Sequence, residues 1–228
     1  MRLIAGYKPR QNPRNLLRRL AAQADQRLAD LWQQARLPRE ACLIAVGGYG
    51  RGELYPGSDL DLLVLIDEAH EAQAKAGLEA FIGACWDLGL DVGHAVRSFE
   101  QCLSEAKADL TVQTALMEAR LIVGPPEKLA ELAAALDRQR DAARFFEAKR
   151  LEMRQRHLRF DDSPYSLEPH VKESPGGLRD LQLLWWLARA AGMPGSWLEL
   201  AKAGVLTQEE FRTLQQAQRL LSMIRISL

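Results

Sequence analysis

Cysteine is scarce in this sequence: Cys42, Cys85 and Cys102 are the only three in 228 residues. Their number is odd and their spacing matches no metal site. Each lies among apolar neighbours, so buried free thiols in a reducing cytoplasm are expected. Net charge is missing too. Lys+Arg and Asp+Glu both total 30, without the basic excess that a dedicated nucleic-acid binder carries. No apolar run approaches a membrane span, and residues 1–6 lack the apolar core of a signal peptide, so no membrane partner is expected. The commoner phosphate motifs are absent. No glycine loop ends in Gly-Lys-Ser/Thr, which excludes a Walker loop. In Gly48-Tyr49-Gly50-Arg51-Gly52 the third glycine falls one residue too early for the dinucleotide fingerprint. Internal repeats and low-complexity tracts are lacking as well. What is left is an ordinary globular composition, 47% hydrophobic. The length suffices for one sizeable domain, or for a small catalytic core with a helical companion.

The most informative stretch is residues 46–62, VGGYGRGELYPGSDLDL. Apolar Leu43-Ile44-Ala45-Val46 reads as a first strand. Gly47, Gly48, Gly50 and Gly52 then leave it as a loop without Cβ crowding. Backbone N–H groups of such a loop can approach phosphate oxygens, and Arg51 can add charge-assisted hydrogen bonds. Turn residues Pro56-Gly57-Ser58 on one side and the apolar run of residues 62–66 on the other frame a short core strand. Strand side chains alternate, so Asp59 and Asp61 share a face roughly 6 to 7 Å apart, while Leu60 and Leu62 face the core. Two carboxylates so placed repel by about 2 to 3 kcal/mol at an effective dielectric constant of ~20. A cation between them removes the repulsion, and Mg²⁺ is the hard ion that suits oxygen ligands plus substrate phosphates.

The remaining elements follow in chain order. Asn12-Pro13 marks a helix start, with Leu17, Leu20, Ala24, Leu28 and Leu31 at helical spacing. Arg14, Arg18 and Arg19 line its outer face, read as a solvated face, the alternative being contact with an acidic partner or a phosphate. Leu78, Phe81, Ile82, Cys85 and Trp86 form one apolar stripe of a second helix packed on the sheet. Residues 90–96 read as a strand, with Leu90 and Val92 on one face and Asp91 on the other. Ser98-Phe99-Glu100-Gln101 is a capping-box pattern opening a further helix. Residues 109–118 are helical and residues 120–124 a short strand. Pro125-Pro126 is the expected domain boundary. Beyond it, residues 127–160 are rich in helix formers with no internal Gly or Pro. Pro164, in the tract Asp161-Asp162-Ser163-Pro164, breaks the run, and a loop with Pro169, Pro175, Gly176 and Gly177 follows. Leu178 to Ala190 restores a helix, Gly192, Pro194 and Gly195 interrupt it, and helical stretches run to the terminus. The last of these carries no stop signal, so the chain reads as cut rather than finished. The expected organisation is therefore a helical segment over 1–38, an α/β core over 39–124 and a mostly helical domain over 125–228.

An apolar residue, Gly-Gly, ten residues and then Asp-apolar-Asp-apolar resembles the nucleotidyltransferase superfamily related to DNA polymerase β. The long form GGYGRGELYPGSDLDLLVL resembles, within it, the family of bacterial PII uridylyltransferase/uridylyl-removing enzymes. Two further segments resemble that family, residues 86–97 (WDLGLDVGHAVR) and residues 167–180 (LEPHVKESPGGLRD). The resemblance implies a polymerase β-like core with a small mixed sheet. It also implies attack of a tyrosine hydroxyl of the PII signalling protein on the α-phosphorus of UTP, with release of pyrophosphate. It adds Asp91 to Asp59 and Asp61 as a third metal-binding and catalytic carboxylate; three such groups around two Mg²⁺ ions would clamp an in-line displacement. Asp91 is also a candidate to take the hydroxyl's proton, the alternative being a metal that lowers the tyrosine pKa from about 10. Gly47, Gly48, Arg51 and Ser58 are the residues expected around the triphosphate.

The segment of residues 172–180 has two readings. One is a tight turn with a capped helix start. The other sets Lys172 and Arg179 on nucleotide phosphates or on the acceptor, with the glycines allowing close approach. His94, His157 and His170 form no metal cluster by spacing and read as structural or surface groups; Trp185, Trp186 and Trp197 read as packing residues. Full-length members of the resembled family add a phosphohydrolase domain that removes the uridylyl group and two glutamine-sensing domains. No His-Asp pair is found here, so neither removal nor glutamine sensing is expected of this chain. Two alternatives stay open: a related enzyme using another nucleotide or acceptor, and a non-catalytic nucleotide-binding module.

Overall fold

A computed structural model describes residues 11–163, 170–193 and 195–228. Pro164, Pro194 and residues 167–169 of the third resembled segment lie outside the described residues, as does the N-terminal stretch read above for a signal peptide. The described residues divide into two compact units, Asn15–Gln139 in the first, and residues 11–14 with Arg140–Leu228 in the second.

Helix α1 (Pro13–Gln34), part of the first unit from Asn15 on, starts where Asn12 Oδ1 accepts the Arg14 N–H at 3.0 Å. Strand β1 (Cys42–Ala45) runs into a single helical turn, α2 (Gly47–Gly50), and β2 (Leu60–Leu65) follows. Next come α3 (Glu68–Asp87), β3 (Val92–Arg97), α4 (Phe99–Ala108), α5 (Leu110–Met117), β4 (Arg120–Val123) and α6 (Pro126–Gln139). The four strands form one mixed sheet in the order β3-β2-β1-β4, with β1 antiparallel to β2 and β4, and β2 parallel to β3. Ser98 and Gln101 close the expected capping box at the start of α4.

Both faces of the sheet are covered, which is why β1 and β2 read as near-continuous apolar runs. Leu43, Ala45, Leu60, Leu62 and Val64 pack on α1 and α3, where Trp32 and Phe81 meet edge to face at 5.3 Å. Cys42, Ile44, Leu63 and Leu65 pack on the other side with Cys102, Ala106, Leu116, Leu132 and Leu136. The last two lie on α6. The first unit therefore runs on past Pro125-Pro126, because α6 buries its apolar stripe against the sheet. Trp86 departs from its expected place in the α3 stripe: it is 60% exposed and lines an open cavity with Val64, His94 and Val96 instead of packing into the core.

The second unit is helical: α7 (Ala142–Leu158), α8 (Leu178–Ala190), α9 (Trp197–Lys202) and α10 (Gln208–Ser227). The helix-forming run of residues 127–160 is two helices, because Asp141 turns extended and caps α7 by accepting the Arg144 N–H. Phe145, Leu178, Leu183, Trp186 and Leu200 supply its buried apolar side chains.

Candidate active site

The site is built where three chain segments meet at one end of the sheet. The Val46 N–H donates to the Asp61 carbonyl at 3.0 Å, which sets α2 beside the start of β2. Asp59 and Asp91 each immediately precede the first paired residues of the parallel strands, Leu60 and Val92. The Leu60 N–H donates to the Asp91 carbonyl at 2.8 Å. Asp61 lies opposite Gly93 and has the parity of Leu63 and Leu65; Asp59 and Asp91 continue that parity to the strand starts. The register thus places the three sequence-predicted aspartates at one end of two neighbouring strands.

The space around Asp61 is kept by glycines. A Cβ at Gly47 would stand 3.2 Å from Asp61 Oδ2, and one at Gly93 would stand 3.2 Å from Oδ1. Gly47 also has φ +59°, a backbone conformation that side chains other than glycine resist. A carboxylate with a bare backbone beside each oxygen, and Asp59 and Asp91 exposed nearby, fits a hard divalent cation and a phosphate oxygen. Neither the Asp59 nor the Asp91 side chain has a hydrogen bond or ion pair. Among the described residues, no group of three His, Cys, Asp or Glu side chains is drawn together as a metal cage; what the register supplies is a shared strand end.

The glycine-rich stretch expected as a loop is a helical turn followed by a tight bend. The Gly50 N–H donates to the Val46 carbonyl at 3.0 Å and the Glu53 N–H to the Gly48 carbonyl at 3.0 Å. The turn is wedged against the segment entering β4: a Cβ at Gly50 would fall 2.1 Å from the Glu118 carbonyl oxygen and 2.9 Å from that of Ala45. Arg51 is already committed. Its Nε donates to Glu53 at 2.9 Å and it pairs with the buried Glu118 carboxylate, while a third nitrogen lies against Gly48. Burial alone would lower the Arg51 pKa, but the two carboxylates hold it above the ordinary arginine value. Ser58 is part-buried, its N–H donating to the Tyr55 carbonyl at 3.1 Å.

Lys172 and Arg179 belong to the second unit. Arg179 pairs with Glu173 at 3.0 Å, donates to Gln182 and stacks on Trp186 at 5.4 Å. Lys172 stands 3.7 Å from Glu173. Asp180 anchors the loop before α8 by accepting from Arg156 at 2.6 Å, His157 at 3.0 Å and the Gly176 N–H at 2.7 Å. The structure thus brings Gly47, Gly48, Arg51, Asp59, Asp61 and Asp91 together within the first unit, and Lys172 with Arg179 within the second.

Sequence reasoning missed Asp25, Glu118 and Arg120, which hold the glycine turn from outside. No spacing rule announces them. Gly93 did carry a signal, since a glycine inside a strand marks a close approach.

Two family comparisons decide the class. Residues 25–122 match the nucleotidyltransferase domain, and residues 144–228 match the GlnD PII-uridylyltransferase family. The chain carries a nucleotidyltransferase domain, and over most of its length it is similar to enzymes named uridylyltransferase/uridylyl-removing enzymes. Its relatives include the bifunctional uridylyltransferase/uridylyl-removing enzymes of Bordetella parapertussis (49% identical) and Cupriavidus pinatubonensis (48%), each over 99% of this chain and 26% of the relative. That of Burkholderia mallei is 49% identical over the same shares. The nucleotidyltransferase chain therefore spans about a quarter of the length of the relatives it matches. A solved toxin-antitoxin structure with AMP-PNP aligns with 60% of this chain and 96% of its own at 14% identity and a TM-score of 0.31, too slight a likeness to assign a fold. No helix among the described residues is long and apolar enough to cross a membrane.

Proposed function

We propose that this chain transfers the uridylyl group of UTP to a tyrosine hydroxyl of the PII signalling protein in the cytoplasm, with Mg²⁺ as cofactor. The observation that supports this reading is Asp61 against Gly47 of the glycine turn, with Asp59 and Asp91 at the starts of the paired strands β2 and β3. Similarity over 99% of this chain, and 26% of the relative, to enzymes named uridylyltransferases supports the choice of reaction. Asp59, Asp61 and Asp91 would hold Mg²⁺, which supplies positive charge to the phosphates and to the pyrophosphate as it leaves.

The tyrosine oxygen forms a bond to the α-phosphorus, the bond from that phosphorus to the bridging α–β oxygen breaks, and pyrophosphate departs. Asp91 accepts the hydroxyl proton. The bare backbone at Gly47 and Gly48 admits the triphosphate, with Ser58 at the far end of the bend. Arg51, its charge already balanced, fixes the shape of the turn and leaves its third nitrogen toward Gly48.

The test is incorporation of label from α-labelled UTP, against ATP, into purified PII. Label from UTP alone supports the reading. Label from ATP assigns a related nucleotidyltransferase, and label from neither, with nucleotide still bound, assigns a binding module.

A further inference from the structure

We propose that Arg120 and Asp25 are positioning residues for the nucleotide: they hold the glycine turn in its binding shape without touching substrate themselves. The proposal rests on the uridylyl-transfer reading. Helix α2 is one turn of four residues, too short to hold itself, since the first turn fixes more dihedral angles than one hydrogen bond offsets. Its shape is imposed from outside. Arg120 donates from Nε to the Gly50 carbonyl at 3.2 Å and from a terminal nitrogen to the Tyr49 carbonyl at 3.3 Å. Its two terminal nitrogens also clasp the Asp25 carboxylate at 2.8 and 3.0 Å. Asp25 accepts the Tyr49 hydroxyl as well, at 2.5 Å. The guanidinium lies 5.4 Å from the centre of the Tyr49 ring.

One planar cation therefore engages two consecutive carbonyls at the C-terminal end of the turn and, through Asp25, the side chain inside it. The two clamping residues sit on α1 and β4, elements fixed by the core. The opposite end of the same turn is Gly47, against Asp61. Seating residues 49 and 50 thus fixes where Gly47 and Gly48 stand relative to the carboxylate face. Lysine cannot take this part: a single ammonium cannot clasp a carboxylate with two nitrogens and still reach both carbonyls.

The rival explanation is a plain ion pair stapling α1 to β4. Arg120 and Asp25 are 34% and 26% exposed and paired by two hydrogen bonds, so a plain staple would act on the melting temperature and leave UTP affinity unchanged. The two explanations separate in the full chain, using Arg120→Lys, Asp25→Asn and the double variant. The measurements are the equilibrium Kd for UTP with Mg²⁺, the KM and kcat of transfer to PII, and the melting temperature. If the clamp positions the turn, its loss in Arg120→Lys weakens UTP binding and raises the KM for UTP roughly five- to tenfold, a change of the size of one net hydrogen bond. It leaves kcat within about twofold and the melting temperature within about 3 °C. Asp25→Asn shows the same pattern, and the double variant is no worse than the poorer single one, because the pair acts as a unit. Wild-type UTP affinity and KM in Arg120→Lys overturn the proposal, whether or not the melting temperature moves. A wild-type chain that binds no UTP overturns the uridylyl-transfer reading itself and the clamp with it.

Discussion

Removing charge from the carboxylate face should leave the fold intact while destroying its affinity for metal and nucleotide. Asp59 and Asp61 lie two strand residues apart, roughly 6 to 7 Å. Their repulsion at that separation is about 0.6 kcal/mol in bulk water and about 2.5 kcal/mol at an effective dielectric constant of ~20. Asp59 is exposed and Asp61 half-buried, which places the true value between these limits. Neutralising both in Asp59→Asn/Asp61→Asn relieves the repulsion, so the ligand-free variant should melt at or slightly above the wild-type temperature. Ligand shifts the comparison. A site filled at a hundred times its Kd adds about 2.7 kcal/mol to wild-type stability, or about 5 to 10 °C for a chain of this size. Thermal melts with and without Mg²⁺ and UTP should show that rise in the wild type and none in the variant. The reasoning is refuted if the ligand-free variant melts several degrees lower, or if it keeps the ligand-induced rise.

Other expectations follow from individual contacts. Gly50→Ala drives a methyl group to 2.1 Å from the Glu118 carbonyl oxygen and should cost about 3 kcal/mol or more in chemical denaturation; a near-neutral variant would show that the turn is not wedged against β4. Asp180 loses solvation on partial burial, but Arg156, His157 and the Gly176 N–H together hold its carboxyl below the usual aspartate range. A depressed folded pKa contributes stability that is present above the unfolded value of about 3.9 and is lost as pH falls toward the folded value. Asp180→Asn should therefore lower stability by about 2 kcal/mol at pH 7 and flatten the decline below about pH 4; an unchanged acid limb in urea melts would contradict this. Burial pushes the Cys42, Cys85 and Cys102 thiols up to about 11. All three should resist a thiol reagent at pH 8 until the protein unfolds, and one fast-reacting thiol would contradict that.

What the sequence made legible is what periodicity and turn chemistry govern. The strands around Ile44, Leu63 and Ala95, the capped start at Ser98 and the helix from Leu178 to Ala190 follow from local patterns that tertiary packing does not oppose. The pairing of Asp59 with Asp61 was readable because strand side chains alternate. Asp91 was not readable from pattern alone, since its place beside Asp59 comes from the parallel register of β2 with β3, a long-range fact. The glycine stretch looked like an open loop because glycine disfavours helix; the Arg120 and Asp25 contacts override that preference. Trp86 had the spacing of a core residue, yet it stands 60% exposed, lining a cavity with Val64, His94 and Val96. Pro125-Pro126 looked like a boundary, but Pro126 opens a helix at its first position instead of separating domains.

The most direct measurement is a crystal structure of the chain soaked with Mg²⁺ and a non-hydrolysable UTP analogue. The account predicts metal density bound by Asp59 and Asp61, with Asp91 beside it, and the triphosphate lying over Gly47 and Gly48. A triphosphate bound elsewhere, or metal density away from these three carboxylates, would contradict it.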